Sequence, residues 1–259
     1  MIAPGFAGVE AQLWLWLIAM IRPGAAFFAA PVFGANAVPV QLRIILSLAV
    51  GMAALNSVHF ELPPGGVASV AGIALVASEI VAGVALGFSV QMGYTAAFLG
   101  GETIANTMGL GFASMVDPQS GASTGAVGQF LSIVATFIFL SMDGHLLLIR
   151  YIVASYQALP PGSGLMPAEG FRAIAMFGGT MLAAGVTVAL PVAFTLILVQ
   201  LVMGMLARAA PSLNLFAVGM PATLLAGLVL LAVAAPVMGE AIGQALNQAL
   251  DLSRQIAGA

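Results

Sequence analysis

The chain has 259 residues, of which 61% are hydrophobic and 6% charged, with a net charge of −3 and a mean hydropathy of +1.13. A soluble domain is about one-quarter charged. Six cationic and nine acidic side chains cannot give so apolar a chain a polar skin, so lipid or partner subunits must cover most of its surface. All six cations are Arg, dispersed at Arg22, Arg43, Arg150, Arg172, Arg208 and Arg254, which excludes a nucleic-acid-binding patch. The absence of Cys excludes disulfides and thiol chemistry.

In chain order, Met1 to Glu10 has no cationic segment and is not read as a cleaved signal peptide. The first apolar run is Ala11 to Pro31 and the second Leu42 to Val58, ending at His59, Glu61, Pro63 and Pro64. The third, Val67 to Gly100, would reach roughly 50 Å as a helix, against a bilayer core of about 30 Å. It must tilt, bend or project from the membrane, and Gly83, Gly87 and Gly93 offer places to bend or pack closely. Gly109 to Gly125, rich in Gly and Ser around Asp117-Pro118, is a loop.

The fourth run, Ala126 to Ala158, is interrupted at Ser141-Met-Asp-Gly-His145. Asp143 is placed to cap a helix starting near Gly144, giving a helical hairpin or a kinked helix. A Pro- and Gly-rich loop, 160–167, leads to the fifth run, Ala173 to Ala207. Pro191 within it leaves the Thr187 carbonyl without a donor and is expected to kink the helix. The sixth run, Leu215 to Met238, contains Pro221 and Pro236. Beyond it, Glu240, Gln244, Asn247, Gln248, Asp251 and Gln255 share one helical face, which should meet water or a polar partner. Arg208 favours a cytoplasmic turn between the last two runs, whereas Arg172 pulls the other way if the fifth run spans once.

No His-Glu-x-x-His zinc motif, phosphate-binding loop or nucleophile turn occurs, so an enzyme is not expected. The remaining polar residues in apolar surroundings each have two readings. Glu79 lies on an ion pathway or, as expected here, meets a polar group of a partner at a subunit interface. Arg22 is expected to snorkel from a helix end. Asp143 and His145 form a proton relay or, as expected, a cap and a turn. Gly83-x-x-x-Gly87 is a close helix contact or a chance match in Gly-rich sequence, and the scattered Met residues are taken as packing.

Four stretches carry a family resemblance in the right order: Arg22-Pro23 with Pro31-Val-Phe-Gly34 and Val38-Pro-Val-Gln-Leu-Arg43; Gly111-Phe-Ala-Ser-Met-Val-Asp-Pro-Gln-Ser-Gly-Ala-Ser-Thr124; Phe139-Leu-Ser-Met-Asp-Gly-His145; and Ala207-Arg-Ala-Ala-Pro-Ser-Leu-Asn-Leu-Phe-Ala-Val-Gly-Met-Pro221. Together they resemble FliR, the flagellar biosynthetic protein family with counterparts in virulence type III secretion. Leu146 departs from the pattern, since many relatives carry a second polar residue there.

The resemblance implies an all-α membrane protein of long kinked helices and helical hairpins, with a FliP-like region over 1–168 and a FliQ-like hairpin over 169–259. It implies a core subunit of the export gate in the bacterial inner membrane at the flagellar basal body, partly above the membrane plane. The implied partners are FliP, FliQ, FlhB and FlhA, unfolded export substrates in transit and membrane lipid, with no nucleic acid and no cofactor. The loop at about 109–124, through Gly109, Gly111, Phe112, Met115, Val116, Asp117, Pro118 and Gly121, would plug the closed pore. Arg208, Pro211, Asn214, Phe216 and Gly219 would form a cytoplasmic turn contacting FlhB. The rival readings are a small-molecule or ion transporter, with Glu79 and Asp143 as coupling carboxylates, and an assembly factor that lines no pore.

Overall fold

The computed structural model describes residues 7–56, 58, 62–63, 65–111, 125–210 and 215–258. They form an all-α protein with helices α1 (Ala7–Ala19), α2 (Ile21–Ala29), α3 (Val40–Leu55), α4 (Val70–Thr107), α5 (Ala126–Ser141), α6 (Gly144–Ala158), α7 (Ala168–Ala209) and α8 (Leu215–Ala257). Four helical stretches are long and apolar enough to cross a membrane: Gln12–Ala29, α4, α7 and α8. A fifth is added if the bent pair α5 and α6 acts as one span.

The overlong third run is a 38-residue helix. α7 has 42 residues and continues through Pro191. α8 has 43 and continues through Pro221 and Pro236, joining the sixth run to the polar-striped tail. At 1.5 Å per residue the three reach about 57, 63 and 65 Å, roughly twice a bilayer core. The fourth run breaks at Met142 and Asp143.

The chain divides into two compact units. The first comprises Met1–Met92, Leu140–Gly178 and Asn247–Ala259, the second Gly93–Phe139 and Gly179–Leu246.

In the first unit α3 packs against α1, α2 and α6, and α2 also meets α6. Glycines allow backbones to touch. A Cβ on Gly51 would lie 2.5 Å from the Ala19 carbonyl oxygen, and Cβ atoms on Gly83 and Gly87 would collide with the carbonyl oxygens of Arg22 and Ala26. The Gly83-x-x-x-Gly87 match is therefore a close contact of α4 with α2. The tail of α8 is stitched on by Ser253, whose Oγ donates to the Leu86 carbonyl at 3.2 Å.

In the second unit a Cβ on Gly101 of α4 would sit 2.5 Å from Cα of Gly128 in α5, and one on Gly100 would sit 2.7 Å from Cγ1 of Val188 in α7. Tyr94 and Thr136 share a 3.2 Å hydrogen bond between α4 and α5.

The tail stripe has the expected polarity. Glu240, Gln244, Asn247, Gln248, Asp251 and Gln255 are exposed, while Ile242, Leu246, Leu250 and Ile256 are buried. Upstream the exposed surface is apolar. Leu182, Val186, Leu190 and Phe194 recur every four residues along α7 and are all exposed. Leu225, Val229, Val233 and Val237 do the same along α8. Ridges at this spacing are what a neighbouring helix or lipid covers.

Candidate functional site

Arg22 and Glu79 lie on helices whose backbones nearly touch. Glu79, Gly83 and Gly87 recur every four residues on one face of α4, and Arg22 and Ala26 do so on α2. The glycine contacts therefore bring Arg22 over Glu79. The guanidinium donates from Nε to Oε2 at 2.9 Å and from Nη2 to Oε1 at 2.7 Å, with both side chains at 2% exposure or less. Nη1 donates to Oγ of Ser155 at 3.0 Å, and Nη2 also reaches the Leu159 carbonyl at 2.8 Å. The Tyr156 ring lies 4.1 Å from Cζ of Arg22, and its hydroxyl donates to the Ala19 carbonyl at 2.7 Å.

Every nitrogen of the guanidinium is engaged, and each carboxylate oxygen accepts from it. Two expectations are corrected here. Arg22 does not snorkel to an interface, and the partner of Glu79 is within its own chain. Pairing satisfies both ions where neither reaches water, which is the condition for burying them. The cluster pins α2, α4, α6 and the chain after α6 together. It holds no carboxylate oxygen free for transport chemistry.

Of the expected plug residues, Phe112, Met115, Val116, Asp117, Pro118 and Gly121 lie outside the described residues. Gly109 and Gly111 are described, as is the helix end that carries them. Gly109 has φ +84°, and a Cβ there would meet nothing within 4 Å, whereas a Cβ on Gly111 would meet Oδ1 of Asn106 at 2.6 Å.

The last four carbonyls of a helix have no partner within it. Around left-handed Gly109, the amides of Leu110 and Gly109 donate to the carbonyls of Ala105 and Asn106 at 3.0 and 3.1 Å, the pattern of a glycine-terminated helix. The carbonyls of Thr107 and Met108 are taken by side chains from distant sequence. Gln200 of α7 donates from Nε2 to Thr107 at 2.6 Å, and Thr223 of α8 donates from Oγ1 to Met108 at 3.3 Å. Met108, 2% exposed, fills the space over Gly227, where a Cβ would meet its Cγ and Cε at 2.6 Å.

On the far side of the loop, Gly125 and Gly128 make room for Glu102. A Cβ on Gly125 would lie 2.7 Å from Oε1, and that oxygen is buried without a hydrogen-bond partner. Sequence reasoning missed Gln200, Thr223 and Glu102. The available signal was the cost of an amide or a carboxylate in an apolar run.

Asp143 stands at the cap of α6, as expected, but in left-handed conformation (φ 55°, ψ 25°) and with no side-chain cap. Its carbonyl accepts from the amides of Leu146 and Leu147 at 2.9 and 3.0 Å instead. Asp143 is exposed, Nδ1 of His145 is buried without a partner, and no hydrogen bond among the described residues joins the two. Of the expected cytoplasmic turn, Arg208 is exposed in the last turn of α7, where a cation suits the helix dipole. Gly219 is buried in α8, Phe216 is described only as backbone of its first turn, and Pro211 and Asn214 lie outside the described residues.

Residues 13–249 match the family described as bacterial export proteins, family 1. The flagellar biosynthetic protein FliR of Pectobacterium carotovorum subsp. carotovorum is 35% identical over 84% of this chain and 83% of its own length. That of Escherichia coli K12 is 32% identical over 89% of each. That of Bacillus subtilis 168 is 30% identical over 84% of this chain and 85% of its own length.

Proposed function

The chain belongs to the bacterial export proteins, family 1, and from that membership we propose that it is a core subunit of the flagellar type III export gate. In this reading it joins FliP and FliQ in the inner membrane at the flagellar basal body. Together they form the pore through which unfolded substrates leave the cell. Residues 1–168 are its FliP-like part and 169–259 its FliQ-like hairpin. The loop at 109–124 plugs the resting pore, and the turn from Arg208 to Gly219 faces FlhB and the cytoplasm, with FlhA nearby. The subunit is a conduit and performs no chemistry of its own.

The observation that carries the reading is the exposed apolar ridge of α7, which runs from Phe171 to Leu206 over about 53 Å, well beyond the roughly 30 Å of a bilayer core. Lipid accounts for one bilayer's thickness of such a ridge, and partner helices account for the remainder. A pore for unfolded chains also needs a closure indifferent to side-chain identity. A Gly- and Ser-rich loop meets that need because it rearranges at small cost.

The test is to purify the tagged chain from membranes and to crosslink a stalled export substrate to residues in 109–124. Co-purification of FliP-like and FliQ-like proteins together with substrate crosslinks is expected. Normal assembly without crosslinks would favour an assembly factor that lines no pore. Deleting Gly111 to Ser120 should make the assembled complex leak ions, and an ion-tight deletion would remove the plug.

A further inference from the structure

We propose that the turn between α2 and α3, residues 30–39, is a strained latch: the free chain holds it in a left-handed conformation, which relaxes when partner subunits assemble on the chain. The inference goes beyond the export-gate reading and rests on it only for the identity of those partners.

The strain is at Val32, whose φ is +68°. This region disfavours an L-residue roughly tenfold, and a β-branched residue there is a genuine outlier. The amide of Phe33 donates to the Pro31 carbonyl at 2.8 Å, which closes the rare γ-turn of positive φ. The residue suited to that backbone, glycine, stands two positions later and serves another need. A Cβ on Gly34 would lie 2.7 Å from the carbonyl oxygens of both Phe28 and Ala30. The left-handed Val32 brings Gly34 back onto the end of α2, where its amide donates to the Ala30 carbonyl at 2.9 Å.

A strained residue persists only where its surroundings over-determine it. Two contacts do so here. The Phe33 ring lies 4.6 Å from that of Phe27, which is fully buried. Arg43, in the first turn of α3, donates from Nη2 to the carbonyls of Ala35 and Val38 at 2.6 and 3.1 Å. That clamp is itself incomplete. Nε of Arg43 is buried without an acceptor, and among the described residues Arg43 is the only guanidinium neither exposed nor joined to a carboxylate. A strained φ and an idle buried donor thus meet in one turn, whose apex, Ala35 to Ala37, is exposed. An unsatisfied buried group beside strained backbone marks a conformation held ready to change. Returning Val32 to negative φ would remove the strain. By withdrawing Ala35 and Val38 it would also free Arg43 to turn Nε to an acceptor.

Substitutions at Val32 bias the two states in opposite directions. Asn and Gly accept a positive φ, whereas Pro fixes φ near −65°. The thermal midpoint is read on the purified chain. Export and co-purification of FliP-like and FliQ-like proteins are read in membranes. Val32→Asn and Val32→Gly should keep or raise the midpoint and lower export roughly tenfold, the factor by which they favour the left-handed turn. Val32→Pro should lower the midpoint, yet assemble and export at least as well as the wild type. Normal export by the Asn and Gly variants would overturn the latch. So would a Val32→Pro chain that is present at normal level and no longer assembles. Where Val32→Pro does not accumulate, the Asn and Gly variants decide alone. A wild-type chain that brings down neither partner would instead sink the export-gate reading, and the effect of Asn and Gly on export would still decide the latch.

Discussion

Arg22 and Glu79, separated by 57 residues, are joined by two hydrogen bonds of 2.9 and 2.7 Å in a site closed to solvent. The pair is an internal strut of the first compact unit. Removing one partner strands the other charge, which costs about 3–5 kcal/mol. Arg22→Met and Glu79→Gln should each lower the thermal midpoint of the purified protein sharply. The double variant Arg22→Met/Glu79→Met should recover most of the loss, since volume is kept and no charge is left alone. A double variant as unstable as either single one would show that the pair does more than neutralise itself.

Tyr156 touches this strut in two ways that substitution can separate. Tyr156→Phe keeps the ring over the guanidinium and deletes the bond to the Ala19 carbonyl, a loss of about 1–2 kcal/mol. Tyr156→Leu removes the ring as well and should cost measurably more. Equal midpoints for the two variants would mean that the ring contributes nothing beyond its bulk.

The contact of α4 with α2 depends on the absence of side chains at Gly83 and Gly87. Gly87→Leu must push α2 away and, by separating Arg22 from Glu79, should reproduce the loss seen when the pair is broken. Gly178→Ala meets no atom within 4 Å and should be neutral or stabilising by up to about 1 kcal/mol. Protein level in membranes and thermal midpoint read both. A tolerated Gly87→Leu would refute the close-packing account.

Asp143 is exposed and held in left-handed backbone without a side-chain cap. Its role is conformational, so Asp143→Asn, which adopts the same backbone and cannot ionise, should export normally. Asp143→Val should destabilise by about 1–2 kcal/mol. Loss of export in Asp143→Asn at normal protein level would establish a titrating function.

Much of this architecture is legible in the sequence, for physical reasons. Apolar length locates α4 and α7, the Ser141-Met-Asp-Gly-His145 interruption locates the break between α5 and α6, and four-residue spacing locates the polar stripe from Glu240 to Gln255. α8 runs on through Pro221 and Pro236 although each removes one backbone hydrogen bond. The candidate site is less legible. Glu79 announces itself as costly, but nothing local says that Arg22 answers it; that follows only from the backbone approach at Gly83 and Gly87. Gln200 and Thr223 stand 93 and 115 residues from the carbonyls they bind, and periodicity carries no information across such spans.

The composition of the first compact unit has a consequence in time. Its last portion, Asn247–Ala259, bonds to Leu86 through Ser253 and brings Gly258 against Ala158. During synthesis, α1 to α3 emerge long before this segment exists. They must wait, unsealed, while about 190 further residues are made, at the 5–20 residues per second of translation. A chain interrupted anywhere before Asn247 would leave the unit open along the seam that Ser253 and Ile256 close.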